Sequence, residues 1–456
     1  MNVAVLDVGK TNVKVVLVDG TQELASRTKP NRVLIDRPYP HFDVDGIFAF
    51  FLASLKELHA EFGFEAISIT AHGASGALLG EDGLAMPVLD YEFRYPAEIE
   101  ETYDAIRPPF HETFSPRLPG GLNLGAQLHY QKNAFLEAFR QVRTIVTYPQ
   151  YWGWRLTGIA ATEVTSLGCH TDLWLPRAGT FSGLVERLGI ADKLAPVKRP
   201  SDLLGYVTDE LVGRIGLPAP VPVYCGIHDS NASLLPHLLQ REAPFAVVST
   251  GTWVVLFAVG GDLDHLDPAR DTLANVDAFG RAVPSARFMG GREFELLTGG
   301  KGTATPAAVR RVLEEGVYVL PSVVPGCGPY PDAKHRFVNA PDGLDADETY
   351  VAASLYAALM TKTCLDLTGA AGPVVVEGPF ARNRLYIEAL AEALGRPAMP
   401  TTGSTGTSIG AALLTVPLTS PRMTMAGAAA STFSLSDRFR QYCATWESLV
   451  RVNDAS

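Results

Sequence analysis

The stretch Val3-Ala-Val-Leu-Asp-Val-Gly-Lys-Thr-Asn-Val-Lys-Val-Val-Leu-Val18 decides the fold. β-branched residues flank a short polar turn on both sides, which predicts strand, tight turn, strand, and Asp19-Gly20 then offers a hairpin turn into a third strand near Glu23 to Thr28. The turn gathers Asp7, Gly9, Lys10, Thr11, Asn12 and Lys14. Gly9 lets backbone N–H groups approach an anion, Thr11 carries a hydroxyl, and the lysines add positive charge. Asp7 would repel a phosphate unless Mg²⁺ lies between them, so the pattern predicts a metal–phosphate site on a hairpin. The plainer reading is an ordinary hairpin with a polar tip. Against it stands a later echo, Ala246-Val-Val-Ser-Thr-Gly-Thr-Trp-Val-Val-Leu-Phe-Ala258, again strand, Thr250-Gly251-Thr252 turn, strand. Two such hairpins predict two related halves, 1–240 and 241–456, each offering a loop to the phosphates of one nucleotide.

Composition narrows the partners. A formal charge of −11 argues against nucleic acid, since phosphate neutralisation needs clustered Lys and Arg. The five cysteines show no C-x-x-C spacing and read as thiols of a reducing compartment. Neither a signal peptide nor a bilayer-spanning apolar run is visible, so the expectation is a cytoplasmic protein with no membrane partner.

Ile47, Phe51, Leu55, Leu58 and Phe62 recur at helical spacing and Gly63 ends that helix. A strand from Glu65 to Thr70 follows and runs into a loop holding His72, at the sheet edge where ligands bind. His72 is either structural or a ligand contact. Leu89-Asp90-Tyr91-Glu92-Phe93-Arg94 is an irregular polar stretch that can be a surface ion pair or a recognition loop. Residues 95–220 read as an insertion of short helices and Pro- and Gly-rich loops without nameable acid–base chemistry, and Thr162 to Ser166 as a capping pattern. The strand Val221 to Gly226 leads to Asp229 at a helix start, where it is either an N-cap or a general base beside the hairpins. Val374 to Glu377, Gly378 to Asn383 and the loop 401–412 suit a nucleoside, which needs close backbone approach. The tail after Asp437 reads as a short polar-faced helix.

Taken in order, these motifs resemble the FGGY carbohydrate kinases. Asp7 to Lys14 resembles the first phosphate motif, Glu92-x-Arg94 the Asp-x-Arg sugar loop, and Gly226-Ile-His-Asp229 the catalytic motif. Ser249 to Trp253 resembles the second phosphate motif and Val376 to Asn383 the adenosine motif. Arg155 to Gly158 and Thr165 to Thr171 look most like the rhamnulose and fuculose kinases. The resemblance implies an α/β, two-domain actin/hexokinase/Hsp70-like (ribonuclease H-like) ATPase fold with a cleft between domains. It implies ATP-dependent phosphorylation of a ketose or related polyol, with Asp229 as base and Asp7 and Asp229 at Mg²⁺. It assigns Gly9, Lys10, Thr11, Lys14, Thr250, Gly251, Thr252, Gly378 and Asn383 to ATP, and His72, Glu92, Arg94 and Asp229 to the sugar. A homodimer is compatible with it. Three positions depart from the family: Lys10 stands for the usual Thr or Ser, Glu92 for Asp, and Glu377-Gly-Pro-Phe lacks the usual glycine run. Lys10 is expected to touch a phosphate or alter nucleotide affinity. The competing function is an ATPase of the same superfold that acts on a protein partner.

Overall fold

In a computed structural model, which describes residues 1–341, 343–401, 406–418 and 435–454, the opening stretch forms the expected hairpin. β1 (Asn2–Val8) and β2 (Asn12–Asp19) pair antiparallel, with Asp7 opposite Lys14, and β3 (Gln22–Pro30) pairs with β2. Val3 to Val8 are buried throughout, because β1 lies inside a sheet covered on both faces. α1 (Val44–Phe62) is the crossover. The Asp43 carboxylate caps it by accepting from the Gly46 N–H, and Ile47, Phe51, Leu55 and Leu58 bury its apolar stripe. It returns the chain to β4 (Ala66–Ala71), parallel to β1 with Asp7 opposite Thr70.

β5 (Leu203–Tyr206), β6 (Pro222–Tyr224) and β7 (Ile227–His228) complete a seven-stranded sheet of order β5–β6–β4–β1–β2–β3, with β7 also paired to β4. Gly226, at φ +88°, makes the step from β6 to β7; a Cβ there would lie 2.7 Å from the Ile69 carbonyl oxygen. β1, β4 and β7 are parallel and end at one edge, so Asp7, His72 and Asp229 are delivered to that edge together. Asp229 opens α2 (Asp229–Gln240).

The second sheet repeats this plan. β8 (Phe245–Thr250), β9 (Val254–Val259) and β10 (Ala282–Phe288) are antiparallel neighbours. α3 (Gly290–Thr298) and the long α4 (Ala346–Leu367) follow. α4 opens on a full capping box between Asp345 and Glu348. β11 (Val374–Glu377) lies parallel to β8, then α5 (Arg384–Leu394) leads to β12 (Ala398–Pro400), parallel to β11.

The chain forms two compact units, and neither is continuous in sequence. Of the described residues, the first takes in 1–240 together with 274–282 and 406–418; the second holds 241–273, 283–341, 343–401 and 435–454. The expected boundary at 240/241 thus leaves out two later segments of the first unit. One carries the short helix Thr407–Ala412, whose Gly410 lies so close to α2 that a Cβ would sit 1.8 Å from the Ala232 carbonyl oxygen. Residues 402–405 of the Gly/Thr loop lie outside the described residues.

The tail differs from expectation. α6 (Ser436–Asp454) has 19 residues and buries Phe439, Tyr442, Trp446 and Val450 in the second unit's core. These recur at helical spacing, so an apolar stripe runs beneath a charged exterior.

Candidate active site

In the first unit the Asp229 carboxylate is held on one side. Its Oδ1 accepts from the Ser230 N–H at 2.6 Å and the Ser230 hydroxyl at 3.2 Å, and His228 Nε2 lies 3.1 Å away. Oδ2 makes no hydrogen bond among the described residues. The side chain keeps 31% of its surface open, while the rest is enclosed by β7, α2 and the His72 loop. That enclosure raises its pKa, and His72 pulls in the opposite direction.

Behind it is a support that the sequence reading passed over. The buried Glu163 carboxylate accepts from the backbone N–H and hydroxyl of Thr165, both at 2.7 Å, and from those of Ser166, both at 3.1 Å. The Thr165 hydroxyl in turn accepts from the His228 N–H at 3.0 Å, fixing the backbone next to Asp229. Burial pushes the Glu163 carboxyl up to about 7. The capping pattern at 162–166 was legible; its link to a residue 63 positions away was not.

His72 is buried, and its Nδ1 lies 2.9 Å from the Gly73 carbonyl oxygen. Its ring sits among Phe42, Tyr91 and Tyr148 at 5.2, 5.2 and 4.9 Å between centroids. Nε2 has no partner, leaving a buried acceptor for a ligand hydroxyl. Burial drives the pKa of His72, and of His228, down to about 4, so both rings are neutral near pH 7.

Asp7 is the penultimate residue of β1, with 8% exposure, and its Oδ2 accepts from the hydroxyls of Thr407 at 2.8 Å and Ser408 at 3.1 Å. Burial raises its pKa, and the negative charge of Asp229 adds to the rise. Two carboxylates that disfavour each other's ionisation suit a cation between them. Among the described residues no group of three His, Cys, Asp or Glu is placed to hold a metal. Two carboxylate donors, with phosphate oxygens and waters as the remainder, match the way Mg²⁺ is usually held.

In the turn, the Gly9 N–H donates to the Asn12 carbonyl oxygen at 2.9 Å, and Thr11 and Lys14 are exposed. Lys10 leaves the turn: its Nζ pairs with Asp90 and lies 3.2 Å from Glu92. Arg94 is exposed. Asp90, absent from the expected site, is the buried acid of this loop at 7% exposure.

In the second unit the Thr250-Gly251-Thr252 turn meets α3 and the Gly378 loop. A Cβ on Gly291 would sit 1.8 Å from the Gly251 carbonyl oxygen, and one on Gly378, at φ +79°, 1.9 Å from that of Thr250. The Thr250 hydroxyl donates to the Glu377 carbonyl oxygen and accepts from the Phe380 N–H at 3.0 Å, so it is spent on structure. Asn383 caps α5 and donates to the Ser354 hydroxyl at 2.9 Å. A cavity of about 470 Å³ opens here, lined by Gly251, Thr252, Asn383 and the aromatic rings of Phe294, Tyr350 and Phe380. Arg292, Lys301 and Arg382 face a single lining carboxylate, Glu295, which gives the wall a net positive charge. Phe380 and Arg382 fall within the expected adenosine motif, whereas Arg292, Phe294, Lys301 and Tyr350 lie outside every motif that the sequence offered.

Residues 2–236 match the N-terminal domain of the FGGY family of carbohydrate kinases, and 242–423 match the carbohydrate kinase FGGY C-terminal domain. The chain belongs to the FGGY family of carbohydrate kinases. A carbohydrate kinase from Novosphingobium aromaticivorans is similar in structure, with TM-score 0.91 and 36% identity over 99% of this chain and 98% of that one. A xylulose kinase from Rhodospirillum rubrum, 18% identical with TM-score 0.77 over 99% of each chain, shares the fold. An L-fuculokinase of Salmonella typhi is 27% identical over 272 residues, 58% of this chain and 57% of the relative, so the match spans little more than half that protein's length. The fold is that of the FGGY sugar kinases, the two-domain α/β ATPase architecture of actin and hexokinase. No helix among the described residues is long and apolar enough to cross a membrane.

Proposed function

We propose that this protein is an ATP-dependent sugar kinase that transfers the γ-phosphoryl group to a hydroxyl of a ketose or related polyol. The observation that carries the reading is the one-sided Asp229 carboxylate, with Oδ1 occupied and Oδ2 open at the edge where Asp7 and His72 also emerge. Oδ2 takes the acceptor's proton as the O–H bond breaks, the acceptor oxygen bonds to phosphorus, and the bond to the bridging oxygen of ADP is released. The raised pKa of Asp229 strengthens it as a base. The unpartnered Nε2 of His72 accepts a second hydroxyl and orients the sugar, with Glu92 and Arg94 on the neighbouring loop.

Asp7 and Asp229 supply the oxygens for Mg²⁺, which when bound neutralises charge on the transferring phosphates. The Gly9–Lys14 turn of the first unit and the Gly251-Thr252 turn of the second each offer N–H and hydroxyl groups to phosphate. The cavity bounded by Phe294, Tyr350 and Gly378's neighbours takes the nucleoside. Membership in a family of carbohydrate kinases supports this reading over an ATPase that drives a protein partner. ADP release measured with ATP against a panel of ketoses, deoxy-ketoses and alditols tests it. Release that no sugar stimulates sinks the proposal.

A further inference from the structure

Lys10 starts in the turn assigned to phosphate, yet its ammonium sits in a different box. Nζ is paired with Asp90, lies 3.2 Å from Glu92 Oε2, and stands 4.7 Å from the centre of the Tyr91 ring and 5.1 Å from that of Phe42. Its side chain is 22% exposed and that of Asp90 10%, so the pair is largely withdrawn from water. The box is built rather than incidental. The Asp90 N–H donates to the Pro40 carbonyl oxygen, its carbonyl accepts from the Phe93 N–H, and its Oδ1 accepts from the Glu92 N–H at 3.2 Å. The same two rings, Phe42 and Tyr91, flank His72, whose Nε2 awaits a partner.

The ammonium is therefore shared between two carboxylates and two aromatic faces, an arrangement that a cation leaves only at the cost of both kinds of contact. Phosphate binding would have to compete with all four.

We infer that Lys10 is a positioning residue of the acceptor site that braces the Asp90–Glu92 loop against Phe42. The inference rests on the kinase reading for its acceptor.

The test compares wild type with Lys10→Met, which keeps the stem and drops the charge, Lys10→Arg, which keeps the charge, and Glu92→Gln at a 66% exposed position that folding tolerates. Lys10→Met should raise KM for a neutral ketose about tenfold or more, leave KM for ATP within about twofold, and be partly rescued by Lys10→Arg. Glu92→Gln should move acceptor KM in the same direction and leave that for ATP alone. A rise in KM for ATP equal to or larger than that for the acceptor overturns the assignment of Lys10. Calorimetric titration with a non-hydrolysable ATP analogue separates the two layers. Should no compound be phosphorylated, the kinase reading fails on its own. Unchanged analogue affinity in Lys10→Met still supports keeping Lys10 off the nucleotide, and tenfold weaker binding overturns it.

Discussion

The two units are built on one plan and spend it differently. The order β3–β2–β1–β4–β6 in the first is matched by β10–β9–β8–β11–β12 in the second, with the same antiparallel and parallel senses. In each, a glycine turn joins the first two strands. The first turn is set among charge: Asp7, Lys10 and Lys14. Ser249 to Trp253 in the second contain no charged side chain, and the turn is shaped by backbone contact, with Gly291 and Gly378 pressed against the carbonyls of Gly251 and Thr250. A repeated scaffold thus supports reactive groups at one set of strand ends and close packing at the other. The first should be sensitive to loss of a carboxylate, the second to gain of a methyl.

The largest effect tests the charged half. Asp229→Asn should lower kcat by roughly a thousandfold while sugar and ATP binding change by a few fold, since the base acts on the chemical step. Retention of more than about a tenth of kcat would break the assignment. The wild-type profile sharpens it. Because the folded pKa of Asp229 is raised, kcat/KM should fall with acidification at a midpoint above the usual aspartate value of about 4.

Asp7→Asn comes next, with a loss in kcat on the order of a hundredfold and a higher Mg²⁺ concentration for half-maximal rate. Its stability should move the other way. Burial raises the Asp7 pKa, so the ionised carboxylate destabilises the fold at neutral pH, and the amide should leave Tm unchanged or higher. A fall in both activity and Tm would mean that Asp7 is structural.

The second half is tested by methyl groups. Gly378→Ala forces a side chain at φ +79° to within 1.9 Å of the Thr250 carbonyl oxygen, so Tm should drop and KM for ATP rise about tenfold. Gly251→Ala is the smallest change in stability: its nearest protein neighbour would be 3.8 Å away, and Tm should stay within about a degree or two of wild type. Equal effects at both positions would erase the contrast between the turns.

Much of the scaffold was legible because it is local. Both hairpins, the α1 stripe and the helix opening at Asp229 follow from patterns within some twenty residues. What escaped depends on contacts distant in sequence. Lys10 meets Asp90 across 80 positions, and Thr407 meets Asp7 across 400. The region 95–220, read as mere dressing, supplies Glu163 and Thr165 behind His228 and Asp229. Phe439, Tyr442, Trp446 and Val450 were hidden by the charged residues between them, which made a buried helix look polar.

The short helix Thr407–Ala412 has a consequence for how the protein is made. It reaches the first unit only after nearly nine-tenths of the chain has left the ribosome, and until then Asp7 lacks the hydroxyls of Thr407 and Ser408 and the Ala232 backbone lacks Gly410. A fragment cut after Gln240 lacks these contacts and should melt at a lower temperature than the same unit does in the whole chain.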